Sequence, residues 1–298
     1  MKKLKFFLTY SIIITTLITL FPKQCAAQNN KHAMMGWFDI GYSSFFTKWD
    51  SFKNIGSVSC GFGLGYNLTV RNHLIFSVGI EYLSLNSSTS PTDRIIKKTL
   101  IDTEGDEYEM IYALKKFVQI DKTHNIFIPV FLGYKTDFNK VNFFFQAGGK
   151  IGYMFAATYT SKAASFKTTG IYDHYIDPFE NMPNHYFDTK KYNKTEKLNF
   201  NKLQAVTSLE FGIEMPSAGA KSAMRISLFA DYNLINRQTA KMQHQLSEFI
   251  VFKTIPNDIK INNLYNSEYK KSLTTNALFV GVKITLLLNV TKTLCNTY

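Results

Sequence analysis

Asp102, Glu104 and Asp106 stand at the spacing of the first, third and fifth ligands of an EF-hand calcium loop. Such a loop also needs glycine at its sixth position and a glutamate at its twelfth. Glu107 and Ala113 hold those places, so the acidic run 102–109 reads as a solvated loop. Asp173, His174, Asp177 and His185 are metal-ligating types, but no H-E-x-x-H or H-x-x-E-H spacing joins them. Gly61, Gly63 and Gly65 lack the G-x-G-x-x-G spacing, and neither a P-loop nor a G-x-S-x-G motif occurs. No catalytic residue, metal or cofactor is expected. What remains is a set of single charges in apolar surroundings: Asp39, Glu81, Lys135, Lys150, Glu210, Glu214, Arg225, Asp231 and Lys283. Isolated charges of both signs can pair, or they can pass protons. Which they do depends on the elements that carry them.

The chain of 298 residues is 45% hydrophobic, 15% aromatic and 19% charged. That composition excludes a disordered chain. Three cysteines cannot build a disulfide scaffold. The formal charge is +12, yet no Lys/Arg-rich block follows the first residues, so a nucleic-acid partner is not expected. Lys2, Lys3 and Lys5 precede an apolar run from Phe6 to Phe21, and Cys25, Ala26 and Ala27 supply the small residues of a cleavage site. Residues 1–27 read as a cleaved secretory signal peptide. The run is short for an anchor helix, and Pro22, Lys23 and Gln24 are poor neighbours for a lipidated Cys25. No later stretch offers about 18 consecutive apolar residues, so no helix is expected to span a membrane. An exported chain can still cross a membrane if its strands close on themselves.

The period of the rest is two. In 57–70, Val58, Cys60, Phe62, Leu64, Tyr66, Leu68 and Val70 oppose Ser57, Ser59, Gly61, Gly63, Gly65, Asn67 and Thr69. Similar alternation marks 36–46, 73–83, 126–135, 141–159, 203–215, 223–234 and 278–288. Eight strands of about 10 residues are expected, the length that crosses a bilayer when tilted. Short links near Arg71–His73, Thr136–Lys140 and Pro216–Ser222 alternate with longer ones at 47–56, 86–120, 161–200 and 236–272. An up-and-down barrel with periplasmic turns and outer loops produces that parity. A secreted β-sandwich would put Lys, Glu and Thr on its polar face, whereas Gly, Ser, Asn and Gln dominate here. Aromatics fall at both rims: Phe38, Tyr66, Tyr134 and Phe143 on the turn side, and Tyr42, Phe46, Tyr82, Tyr159 and Tyr232 on the loop side.

NIFIPVFLGYKT (residues 125–136), FFFQAGGKIGY (143–153) and the closing strand 278–288 resemble strands of the small outer-membrane β-barrel family of the Bacteroidetes group, the PorT-like or outer membrane protein beta-barrel domain family. The resemblance covers about residues 36–288 and implies an eight-stranded outer-membrane barrel without shared catalytic residues. The domain reading is then a signal peptide (1–27), a periplasmic segment (28–35), the barrel (36–288) and a periplasmic tail (289–298).

In that arrangement the nine charges line the interior, nearly balanced in sign. They should pair, and Glu214 and Arg225 should meet across a hairpin. A filled interior without a diffusion pore is expected. Function then falls to the outer loops. In loop 236–272, Arg237, Lys241, Lys253, Lys260, Lys270 and Lys271 read as solvated, or as holding lipid phosphates. The protein is expected to be a non-enzymatic barrel acting in binding, adhesion or envelope integrity. Competing readings are an accessory of a secretion system, a conduit for a small apolar molecule, or a lipid-modifying enzyme at the rim. Expected partners are outer-membrane lipid, the barrel-assembly machinery and envelope or secretion proteins, around a monomer.

Overall fold

The computed structural model describes residues 30–290 except 49–51, 92–93, 103, 139–140, 183–186, 217–221, 245–247, 253–258 and 268–273. The expected signal peptide and most of the C-terminal tail lie outside the described residues. Strand β1 covers Lys31–Phe46, β2 Phe52–Asn54, β3 Ser57–Val70, β4 Leu74–Pro91, β5 Arg94–Ile101, β6 Glu107–Lys115, β7 Val118–Phe138 and β8 Val141–Tyr172. They are followed by β9 (Thr189–Lys197), β10 (Leu203–Pro216), β11 (Ser222–Asn233), a helical turn α1 (Ala240–His244), β12 (Ile250–Phe252), β13 (Ile259–Ile261) and β14 (Asn276–Asn289).

Twelve strands join in one antiparallel sheet, and β12 pairs separately with β13. Pairing runs from β1 to β3, β4, β7, β8, β10, β11 and β14, and β14 pairs again with β1 over 14 residues. The sheet path therefore returns to its start. The alternation explains why each strand turns as it does. Phe62, Leu64, Ile80, Ile128, Leu132, Ile151, Leu228 and Leu286 project outward and stay exposed, while the small and polar face is buried. Two interior glycines make room rather than space. A Cβ on Gly63 or Gly79 would run into the Trp37 ring, at 2.2 and 2.7 Å, so both are bare because the indole occupies that volume.

The long connections differ from the solvated loops expected from sequence. β8 is 32 residues long. Its first part pairs with β7 on one side and β10 on the other; its outer part pairs with β6 and β9. The wall continues outward as a head with its own core of Met110, Tyr112, Leu114, Phe117, Phe166, Phe187, Phe249, Ile250, Ile261 and Leu264. β6 alternates, Tyr108, Met110, Tyr112 and Leu114 opposing Glu107, Glu109 and Lys115, and β-branched and aromatic residues of β5 and β6 favour the pleated, half-buried state.

Tyr159 corrects a second expectation. The sequence pattern places it on the outer aromatic rim, but it is buried. Consecutive residues His124 and Asn125 pair with Ala156 and Met154, which leaves Phe155 as an extra residue in β8. One inserted residue reverses every later side chain. Inward positions are even up to Met154 and odd from Tyr159 to Ala163; a second register shift before Phe166 makes even positions inward again.

Candidate functional site

The nine interior charges come from seven strands and are all buried. At the turn end, Glu214 of β10 stands opposite Arg225 of β11. Arg225 Nε donates to Glu214 Oε2 at 2.8 Å, and Lys135 Nζ donates to Glu214 Oε1 at 2.6 Å. The Arg225 guanidinium also lies 4.9 Å from the centre of the Phe144 ring. One level further out, Lys283 and Gln146 both donate to Glu210 Oε2, at 3.0 and 2.8 Å, and Ser227 Oγ donates to Oε1 at 2.7 Å. Above these, Lys150 Nζ donates to Glu81 at 2.8 Å and to Asp231 at 2.7 Å. Ser208 Oγ donates to the other Asp231 oxygen.

Asp39 departs from the expected pairing. It stands beside Lys283 in register, yet Lys283 turns to Glu210 and neither Asp39 oxygen has a hydrogen-bond partner. Gly61 opposite explains the enclosure, because a Cβ there would meet Asp39 Oδ1 at 2.2 Å. The space left among these groups is small. A cavity bounded by Trp37, Phe131, Glu210, Arg225 and Lys283 measures about 20 Å³, room for about one water. A wider recess of about 120 Å³ opens at the turn end, lined by Lys31, Asn67, Lys135, Asn142 and Glu214.

The outer mouth is closed by residues that sequence reasoning missed. Arg237 reads from the sequence as a solvated loop charge; in the structure it is wholly buried. Its Nη2 donates to Thr123 Oγ1 at 2.9 Å, and its guanidinium lies 4.3 Å from the Phe45 ring centre and 5.7 Å from that of Phe200. Burial draws the guanidinium down to about 10, against the pull of Tyr265 and Asp121. Tyr265 donates to Asp121 Oδ2 at 2.8 Å, Gln119 Nε2 donates to Asp121 Oδ1 at 2.7 Å, and the Leu264 amide donates to Gln119 Oε1 at 2.9 Å. Burial pushes the Tyr265 hydroxyl well above its usual value. The only sequence signal was the apolar spacing of Ile261, Leu264 and Tyr265, which implies that this stretch is covered. Lys260 of the same segment reaches Glu196 Oε2 at 3.2 Å.

The remaining chemistry-bearing residues do not assemble. Asp102 Oδ1 accepts the backbone N–H groups of Glu104 and Asp106, both at 2.9 Å, so the acidic run shapes the β5–β6 turn. Asp173, His174 and Asp177 lie in the turn after β8, and His185 lies outside the described residues. No group of three or more His, Cys, Asp or Glu side chains able to hold a metal occurs among the described residues. Cys60 is free and exposed on the outward face.

Residues 53–235 match the family described as "Outer membrane protein beta-barrel domain". No curated protein matches the chain. Among solved structures, Ail, the attachment invasion locus protein of Yersinia pestis, solved in complex with the heparin analogue sucrose octasulfate, aligns over 87% of this chain and 99% of its own at 9% identity. The TM-score is 0.26.

Proposed function

The chain belongs to the outer membrane protein beta-barrel domain family, and from that premise we propose that it is a non-enzymatic, eight-stranded transmembrane barrel whose outer head binds a surface or stabilises the envelope. In this reading β1, β3, β4, β7, β8, β10, β11 and β14 span the outer membrane, with their short turns in the periplasm and the head outside. Residues 1–27 are the cleaved export signal. The carrying observation is the apolar core inside the long connections. A chain that only anchors a barrel does not need a second core, whereas a rigid scaffold above the bilayer suits recognition.

The test replaces residues 92–117 by a short turn. Heat-modifiable gel mobility should persist, while adhesion of expressing cells or resistance of the envelope to detergent falls. If both stay at the level of the intact chain, the head has neither role. The paired interior predicts no steady conductance of porin size in planar bilayers, and such conductance would overturn the filled interior. The PorT-like resemblance of 125–136 and 143–153 favours a second reading, an accessory of secretion. A deletion strain with a normal secretome would remove it.

A further inference from the structure

Just beyond the outward apolar stripe on β7 and β8, the exposed side chains change from aromatic to cationic. Tyr82, His124 and Phe155 form one ring cluster, with centroids 5.9 to 6.3 Å apart. Two residues outward from His124 stands Lys122, opposite Thr158, which is in turn opposite Lys197 of β9. The two lysines thus flank one threonine on the exposed face, their backbones about 10 Å apart at the usual strand spacing. Lys162 projects from the same face four residues further along β8, beside Asn193. Lys202 lies with Nζ 5.8 Å from the centre of the exposed Tyr153 ring.

These lysines have no ion-pair partner among the described residues. Other lysines of the head have acidic partners. Lys97 pairs with Glu109, Lys98 with Glu248, Lys167 with Glu180, and Lys194 and Lys260 with Glu196. Acids are therefore at hand elsewhere, and among the described residues none pairs with the lysines of this face. On the far side, the described outer ends of β11 and β14 carry Tyr232 and Asn276 in place of cations.

We propose that Lys122, Lys162, Lys197 and Lys202 form a docking surface for the phosphorylated headgroup of a lipid in the adjoining leaflet. The inference rests on the transmembrane-barrel reading. An aromatic belt marks the level of lipid headgroups. Cations one or two residues beyond it meet phosphate, and each adds attraction that falls off within a Debye length. The acyl chains of the same lipid would lie along Phe155, Tyr153 and Ile151.

The full chain is refolded into phosphatidylcholine nanodiscs containing a minor fraction of bisphosphorylated lipid A, and the lipid retained after detergent extraction is measured by mass spectrometry. Enrichment of lipid A by about tenfold over its bulk fraction is expected, decreasing as salt rises. The variant K122Q/K162Q/K197Q/K202Q should fall to parity with its heat-modifiable mobility unchanged. The variant K97Q/K98Q/K167Q, which removes paired lysines of the head, should keep the enrichment. No enrichment in the native chain, or enrichment that survives the first variant, overturns the proposal. Equal displacement of lipid A by inorganic phosphate at low concentration identifies a free-anion site and overturns the lipid assignment. Failure of the native chain to insert at all refutes the barrel reading, which is a different outcome from insertion without enrichment.

Discussion

Lys150 on β8 joins Glu81 on β4 to Asp231 on β11, strands that are not its neighbours in the sheet. β7 stands between β4 and β8, and β10 stands between β8 and β11. One buried cation therefore ties the wall together across the interior. Removing it leaves two buried carboxylates without their cation. Lys150→Met should cost about 3–5 kcal/mol in urea unfolding from lipid vesicles. The neutral triple variant Glu81→Gln, Lys150→Met, Asp231→Asn should recover most of that loss, because no charge is then left uncompensated. A triple variant as unstable as the single one would show that packing, rather than pairing, is what Lys150 provides.

Asp39 has the opposite signature. Neither carboxyl oxygen accepts a hydrogen bond. Burial of an unpartnered charge is costly. Asp39→Asn should therefore leave stability unchanged or raise it, measured by the same unfolding. A loss above about 2 kcal/mol would reveal a partner, since that is the cost of breaking a buried hydrogen bond to a charged group.

The outer closure hangs on Arg237. Its ring contacts with Phe45 and Phe200 and its bond to Thr123 hold the segment that places Leu264 and Tyr265 over the mouth. Arg237→Ala should speed hydrogen exchange at the Leu264 and Ser267 amides by roughly 30-fold, a local loss of about 2 kcal/mol, and leave β1 and β14 protected. Equal acceleration across all strands would mean that Arg237 supports the wall rather than the lid.

Glu196 makes that closure sensitive to acid. Partial burial raises the affinity of its carboxyl for a proton, but the Tyr159 hydroxyl, Lys260 and Lys194 outweigh it and hold the carboxyl below its usual 4.5. A lowered folded value contributes stability above 4.5 that is lost as pH falls through the folded value. Protection of β12 and β13 should drop below about pH 4.5, by about 0.5–1 kcal/mol for so exposed a pair. Glu196→Gln should show the weaker protection already at pH 7 and lose the dependence. Identical pH profiles would refute the tether.

The period-two pattern was enough to set the wall of this protein. An extended strand places alternate side chains on opposite faces, so Leu64 and Leu286 had to lie on one side and Asn67 and Lys283 on the other, whatever their partners. The short turn at Arg71 and Asn72, both at positive φ, was legible for the same local reason. Tertiary structure decided the rest. Phe155 enters β8 as an unpaired residue, and no periodicity announces which strand absorbs an extra residue; only pairing with β7 shows that Tyr159 turns inward. Arg237 looks like a solvated cation in a basic stretch, and only the pairing of its backbone with Asn201 on one side and Thr275 on the other sets it in the wall. Sequence spacing also could not select Glu210 over Asp39 as the partner of Lys283, since both lie within reach and the choice depends on which carboxylate the neighbouring Ser227 and Gln146 already hold in place.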